Sequence, residues 1–295
     1  MKIRIGGVPE HFNLPIHLAI EQGHFGQAGI EIEWITYKGG TGEMTKALRA
    51  NEVDVCILLT EGIVADIING NPSKIISEYV TTPLIWGIHT STKNKLNTKA
   101  DIFDEKYAIS RLGSGSHLMA IVHALEHSKT LSKKQFVEVK NLEGALNSLI
   151  KLESDVFYWE KFTTQPYVDS GILKRIGEYT TPWSCFVIAA TNAVIEEDSI
   201  AIHNLMKIIN YSCYNFMSDK SSVEKVSERY DLEKEDVIQW FTNTAWATDN
   251  YIDSQMIKNV IYHLEKANII KSGLKLPSLM WNFQLENNKK RKFSM

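Results

Sequence analysis

The residues best able to do chemistry fall in five short stretches, each following a run with strand character: Pro9-Glu10-His11-Phe12-Asn13, Gly39-Gly40-Thr41-Gly42, Thr60-Glu61, Ser110-Arg111-Leu112-Gly113-Ser114-Gly115-Ser116-His117 and Tyr158-Trp159-Glu160. Both Gly-rich stretches open a helix. Free backbone N–H groups and the positive end of the helix dipole suit an anion there, which makes Gly39, Gly40, Thr41, Ser114, Gly115 and Ser116 candidate donors. The same residues also suit ordinary turns and N-caps. Neither stretch is a P-loop, because Lys-Ser or Lys-Thr does not follow at the required spacing. Arg111 could clamp a carboxylate or phosphate with two N–H groups, or bridge to Glu160. Glu10 and His11 could be a charge pair or a general base. Glu61 and Glu160, beside Thr60 and Trp159, could receive a ligand amine or simply favour the starts of their own helices. Phe12, Tyr158 and Trp159 offer flat apolar surface for a ring, although one of two adjacent strand-end aromatics normally turns into the core. Trp183, next to Pro182, lies where it could line a hinge or a pocket.

Other chemistries find no support in the residue pattern. The nine histidines include no HExxH and no Cys/His cluster. His123 and His127 have the i,i+4 spacing that can hold zinc, but no carboxylate is obviously near, so no metal and no cofactor is expected. The Gly-x-Ser-x-Gly elbow of hydrolases is missing. Cys56, Cys185 and Cys213 lie far apart in apolar surroundings, which reads as reduced, buried, unreactive thiols. A net charge of -3 gives no reason to expect nucleic-acid binding. No window approaches the ~18 apolar residues of a membrane span, and no signal-peptide run follows Met1. As numbered the chain reads as cytoplasmic; removal of a leader would make it periplasmic. The basic stretch 287–292 reads as a solvated tail.

The elements that must hold these residues alternate strand and helix. Strands are predicted at 2–7, 30–37, 54–59 and 74–80, with helices at 15–22, about 41–50 and 62–69 between them. The pattern restarts after a strand at 83–89: strands at 107–110, 136–140, 155–159 and 173–176, helices at about 116–127, 142–152 and 160–169, then an apolar return strand at 184–190. From 199 onward it is almost wholly helical. With 44% hydrophobic residues, 295 residues suffice for large cores. The expected fold is therefore α/β and two-lobed, each lobe a mainly parallel sheet flanked by helices, with a helical C-terminal region. Residues 1–82 plus 186–245 form one lobe and 83–185 the other, with 246–295 unassigned. Ligands in open α/β sheets sit at the carboxyl ends of strands, so two such sheets make a cleft.

Leu18-Ala19, Glu21, Gly23, Phe25, Gly29-Ile30 and Ile32 resemble the opening of type 2 periplasmic binding proteins, in the nitrate, sulfonate, taurine and thiamine-precursor branch. Gly39-Gly40, Ala47-Leu48 and Val53-Asp54-Val55 continue the likeness, with Asn51 where that family usually has Gly. The resemblance covers roughly residues 1–190, and extends to a small group of leaderless proteins of this fold, some of them fungal. It implies a non-catalytic solute-binding protein that closes two lobes on a small metabolite, with a transporter permease as partner if the chain is exported. The alternative is an enzyme of thiamine-precursor or menaquinone-type biosynthesis on the same scaffold; the Cys-rich motif of the thiamine-pyrimidine synthase is absent here. Donors and carboxylates are mixed among the candidates. A bare oxyanion would be repelled by the carboxylates, so the expected ligand is an amino-heterocycle such as a thiamine-pyrimidine or pyridoxine-like compound.

Overall fold

A computed structural model describes residues 1–271 and 279–281. The basic stretch 287–292 lies outside the described residues. The first βα run builds β1 (Lys2–Gly7), α1 (Leu14–Glu21), α2 (His24–Gln27), β2 (Glu31–Thr36), α3 (Thr41–Arg49), β3 (Val55–Leu59) and α4 (Thr60–Ile68). β1 lies between β2 and β3 and is parallel to both. Pro15 stands in the first turn of α1, where its missing N–H costs nothing, and Gly23 follows that helix with φ of 72°. The five residues of β3 are nearly all buried, as expected of a strand covered on both faces.

The second run builds β5 (Tyr107–Ile109), α5 (Gly115–Glu126), β6 (Phe136–Glu138), α6 (Leu142–Ile150), β7 (Val156–Glu160) and α7 (Gln165–Asp169). β5 pairs in parallel with β6 and β7. Two strands of 19 residues join the runs: β4 (Ser73–Ser91) and β8 (Leu173–Thr191), antiparallel to each other. The sequence predicts two separate sheets, but the eight strands among the described residues form one ladder, in the order β2-β1-β3-β8-β4-β7-β5-β6. The two α/β lobes are its flanks. The start of β4 pairs with the end of β8, which borders β3; the end of β4 pairs with the start of β8 and with β7.

The expected break at residues 81–82 is thus a distortion of a continuous strand. Register shifts fall at Val80/Pro83 and Pro83/Ile85, where Pro83 opposes Ser184. Proline cannot donate to a ladder and is tolerated at bulges, so it bends the strand without ending it.

One hydrophobic cluster runs through both lobes. A smaller one, Ala108, Ala145, Leu149, Phe157 and Leu173, sits between α6 and the sheet of the second lobe. The described residues beyond β8 include the helices α8 (Asn192–Glu197), α9 (Ser199–Ser218), α10 (Ser222–Tyr230), α11 (Lys234–Thr242) and α12 (Ser254–Lys266). α9 packs on α1, and α12 packs on α4 and β8. Trp281 N–H bonds the Ile75 carbonyl at 2.9 Å, which ties the last described residues to the start of β4. Among the described residues no helix is long and apolar enough to cross a membrane.

Candidate ligand-binding cleft

A cleft of about 620 Å³ opens between the lobes, bounded by segments that leave the strands at their carboxyl ends. From the first lobe come Pro9 and Glu10 after β1, residues 38–41 after β2, and Leu59 at the end of β3. The second lobe supplies Ser110, Arg111 and residues 114–116 after β5, residues 140–143 after β6, and Trp159, Glu160 and Thr163 at and beyond the end of β7. Trp86 and Phe186, from the two crossing strands, line it as well.

Local chemistry fixes each loop. Gly40 has φ of 67° and ψ of -156°, a conformation closed to residues with a Cβ, and so turns the chain into α3. The Glu43 carboxylate accepts Gly39 N–H at 2.7 Å, and Thr41 Oγ1 accepts Leu59 N–H at 3.2 Å. In the 110–117 loop, Ser114 caps α5, Ser116 Oγ accepts Ser110 N–H at 3.1 Å, and His117 Nδ1 accepts Gly113 N–H at 3.0 Å. That last bond fixes His117 as an acceptor, and burial pushes its pKa down to about 4. Several donors of the expected anion nests are therefore already used by the loops themselves.

Charge is distributed unevenly around the cleft. Lys38, Arg111 and Lys140 supply cationic groups, while Glu10 from the first lobe and Glu143 and Glu160 from the second supply carboxylates. Glu160 is 5% exposed, and its Oε2 accepts Thr163 N–H at 2.6 Å. Burial raises its pKa, opposed by the Thr163 and Phe162 N–H groups. Glu10 is half-buried; burial first, and the Glu160 charge second, push its pKa up to about 8. Glu10 therefore keeps its proton near neutrality, and an ammonium group beside the two acids would favour their charged forms. Trp159, stacked on Phe157 at 5.1 Å, and Trp86 provide ring surface.

Of the residues singled out by sequence, Glu10, Gly39, Gly40, Thr41, Arg111, Ser114, Gly115, Ser116, Trp159 and Glu160 meet at this cleft. Six others do not. His11 and Phe12 turn into the core beneath the C-terminal helices: His11 meets Trp240 edge-on at 4.2 Å, and burial pushes its pKa down to about 3. The Phe12 ring packs on Phe186 and Trp240. Thr60 is buried and donates its hydroxyl to the Ser184 carbonyl at 2.6 Å. Glu61 accepts from Trp183 Nε1 at 2.9 Å, and the pair is buried beside the second crossing strand. Tyr158 points to the opposite face from Trp159, and its hydroxyl meets His123 Nδ1 at 2.6 Å. That bond, with the His127 Nδ1 contact to the His123 carbonyl at 3.0 Å, gives the i,i+4 histidines structural partners. All three cysteines are buried and free, with thiol pKa values raised by burial.

Sequence reasoning missed Lys38, Lys140, Asn141, Leu142 and Thr163. The signal for residues 140–142 was present, since they follow β6 as the other loops follow their strands. The sequence pattern extends the strand through Lys140, whereas β6 ends at Glu138 and Lys140 takes φ of 72°.

A family model described as Ca3427-like PBP matches residues 86–179. A solved structure of the Candida albicans CA3427 gene product, reported to define a new family with the generic periplasmic binding protein fold, is 26% identical. It aligns over 95% of this chain and 96% of that one, with a TM-score of 0.89. The alkanesulfonate-binding protein SsuA from Xanthomonas axonopodis pv. citri, bound to MOPS, is 14% identical over 95% and 98% of the two chains, TM-score 0.79. The ligand-binding component of an ABC-type import system from Staphylococcus aureus, with zinc bound, is 12% identical over 95% and 96%, TM-score 0.73. No curated protein matches the sequence.

Proposed function

We propose that this chain, which carries the type 2 periplasmic binding protein fold, is a solute-binding protein that closes on one small molecule with an amino or ring-nitrogen group at one end and an anionic or carbonyl group at the other. The observation that carries the reading is the mixed charge of one cleft of about 620 Å³: the carboxylates Glu10, Glu143 and Glu160, the cations Lys38, Arg111 and Lys140, and tryptophan faces among them. An amino-heterocycle of the aminopyrimidine or pyridoxine kind uses all three features, and the volume lies within the range of small-ligand sites. MOPS, bound by the Xanthomonas protein, itself joins a sulfonate to a ring amine, so the fold accommodates such a combination. The moving units would be residues 1–82 with 186–245 and residues 83–185, hinged where the two long strands shift register.

Calorimetry with MOPS, an aminopyrimidine, pyridoxine, pyridoxine phosphate and sulfate tests the reading. Glu10→Gln should weaken an aminated ligand roughly ten- to hundredfold, the cost of about 1.5–3 kcal/mol for a hydrogen bond to a charged group. Binding should also release protons near pH 7, because the ammonium ionises a carboxyl that burial holds protonated. Tight binding of sulfate alone, or unchanged affinity of an aminated ligand for Glu10→Gln, would show that the carboxylates play no such part.

A further inference from the structure

The small hydrophobic cluster of the second lobe is open on one side. Its buried members are Ala108, Ala145, Leu149, Phe157 and Leu173. Against them pack Leu142 and Leu146 of α6, Trp159 of β7 and Tyr167 of α7, each only partly buried. The same four side chains border the cleft of about 620 Å³. The uncovered side of this cluster is therefore a wall of the cleft.

Residue spacing builds that wall. Leu142 and Leu146 are four apart, so they lie one above the other on α6. Ala145 and Leu149, fully buried on the same helix, hold it against the cluster. Phe157 and Trp159 are two apart on β7 and share one face of the strand, where their rings stack at 5.1 Å. Phe157 thus covers part of the indole, and Trp159 still borders the cleft. Lys140 and Glu143 put charges at the edge of the wall without covering it. The charged groups of the cleft come from both lobes, whereas these four apolar side chains come from one. A single ring with two polar ends has nothing to set against such a wall, and a cleft of this volume holds a larger molecule. Apolar surface left open in a cleft is covered most favourably by apolar surface of the ligand.

We infer that Leu142, Leu146, Trp159 and Tyr167 form a subsite for an uncharged apolar arm of ring size, which the ligand carries beyond its amino and anionic groups. This rests on the reading of the cleft as the ligand site, and it narrows the class of molecule from a small polar ring to one bearing a second, apolar part.

Calorimetry with taurine and N-cyclohexyltaurine tests this, because the two share an amine and a sulfonate and differ only in the ring on nitrogen. Each methylene taken from water is worth about fourfold in affinity, so the ring should tighten binding to wild type by about tenfold or more. Leu146→Ser should remove about tenfold of that gain and leave taurine within about twofold of wild type. Leu142→Ser should act in the same way, which keeps the inference testable should one variant fold poorly; thermal unfolding shows which variants are folded. Equal affinity of wild type for the two compounds, or equal losses of both compounds in the folded variants, overturns the subsite while leaving the charged part of the cleft intact. N-cyclohexyltaurine binding that survives Glu10→Gln but falls in Leu146→Ser upholds the subsite and overturns the amine-binding reading. Binding of neither compound to wild type overturns both.

Discussion

Replacing Glu61 by glutamine should remove one specific part of the pH dependence of stability. The carboxyl is 2% exposed. Its Oε2 accepts from Trp183 Nε1 at 2.9 Å, and Oε1 has no partner among the described residues. Burial pushes its pKa from 4.5 up to about 7, against the Trp183 bond, which pulls it down. Between those values the folded protein keeps a proton that the unfolded chain has released. Stability from this group is thus complete below about pH 4.5 and lost as pH rises through 7. A difference of about 2.5 pH units corresponds to a ceiling of about 3 kcal/mol. Glu61→Gln keeps an acceptor for Trp183 but cannot ionise. Its amide N–H groups lack an acceptor, so the variant should be less stable than wild type at pH 5, by about 1–3 kcal/mol. Urea unfolding at pH 5, 6, 7 and 8 measures both effects. The wild-type curve should fall relative to the variant by about 2–3 kcal/mol between pH 5 and 8. Glu10 and Glu160 titrate in both proteins, so the difference isolates Glu61. Parallel curves would refute the argument that burial, unrelieved by a cation, governs this carboxyl.

Thr60→Val should cost about 1–2 kcal/mol in the same unfolding assay, because it strands the Ser184 carbonyl that Thr60 reaches at 2.6 Å. Cys56, Cys185 and Cys213 should react with a thiol reagent in native protein only as fast as the fold opens, since each is buried with a raised pKa; rapid labelling of any one would contradict their placement. For whichever compound binds in calorimetry, small-angle scattering should show a smaller radius of gyration at saturation, and an unchanged radius would count against hinge closure.

Much of the fold was legible because strand and helix periods differ and because each βα unit ends in turn residues. β1, β2, β3, β5 and β7 stand within a few residues of where alternation and apolar runs place them. The two crossing strands were not legible as single strands. Proline at 83 and at 182 reads locally as an end, and only pairing with a distant strand, Pro83 opposite Ser184, shows that the chain continues extended through the bulge. Pairing of that kind is long-range and leaves no period in the sequence. It also hides the ladder itself: two βα runs look like two sheets, and their fusion through β4 and β8 is a fact about hydrogen bonds that no window of one strand contains.

The site divides along a similar line. The rule that ligands gather at the carboxyl ends of strands brought ten of the named residues to one cleft, because that rule depends only on where strands end. It could not say which way a side chain turns after the end. Tyr158 and Trp159 are neighbours with opposite fates, since successive strand residues face opposite sides and burial claims one of them. Glu10 and Glu61 both follow a strand, yet one borders the cleft while the other enters the core and finds Trp183, which comes from 122 residues further on. Glu61 survives there because it can keep its proton, not because a ligand waits for it. A carboxylate on a βα loop is therefore evidence for a ligand only after the structure shows that no buried donor has already taken it. By that standard Glu10 qualifies and Glu61 does not. Glu160 is intermediate: one oxygen is held by the Thr163 N–H at 2.6 Å, yet the residue still borders the cleft, opposite Glu10.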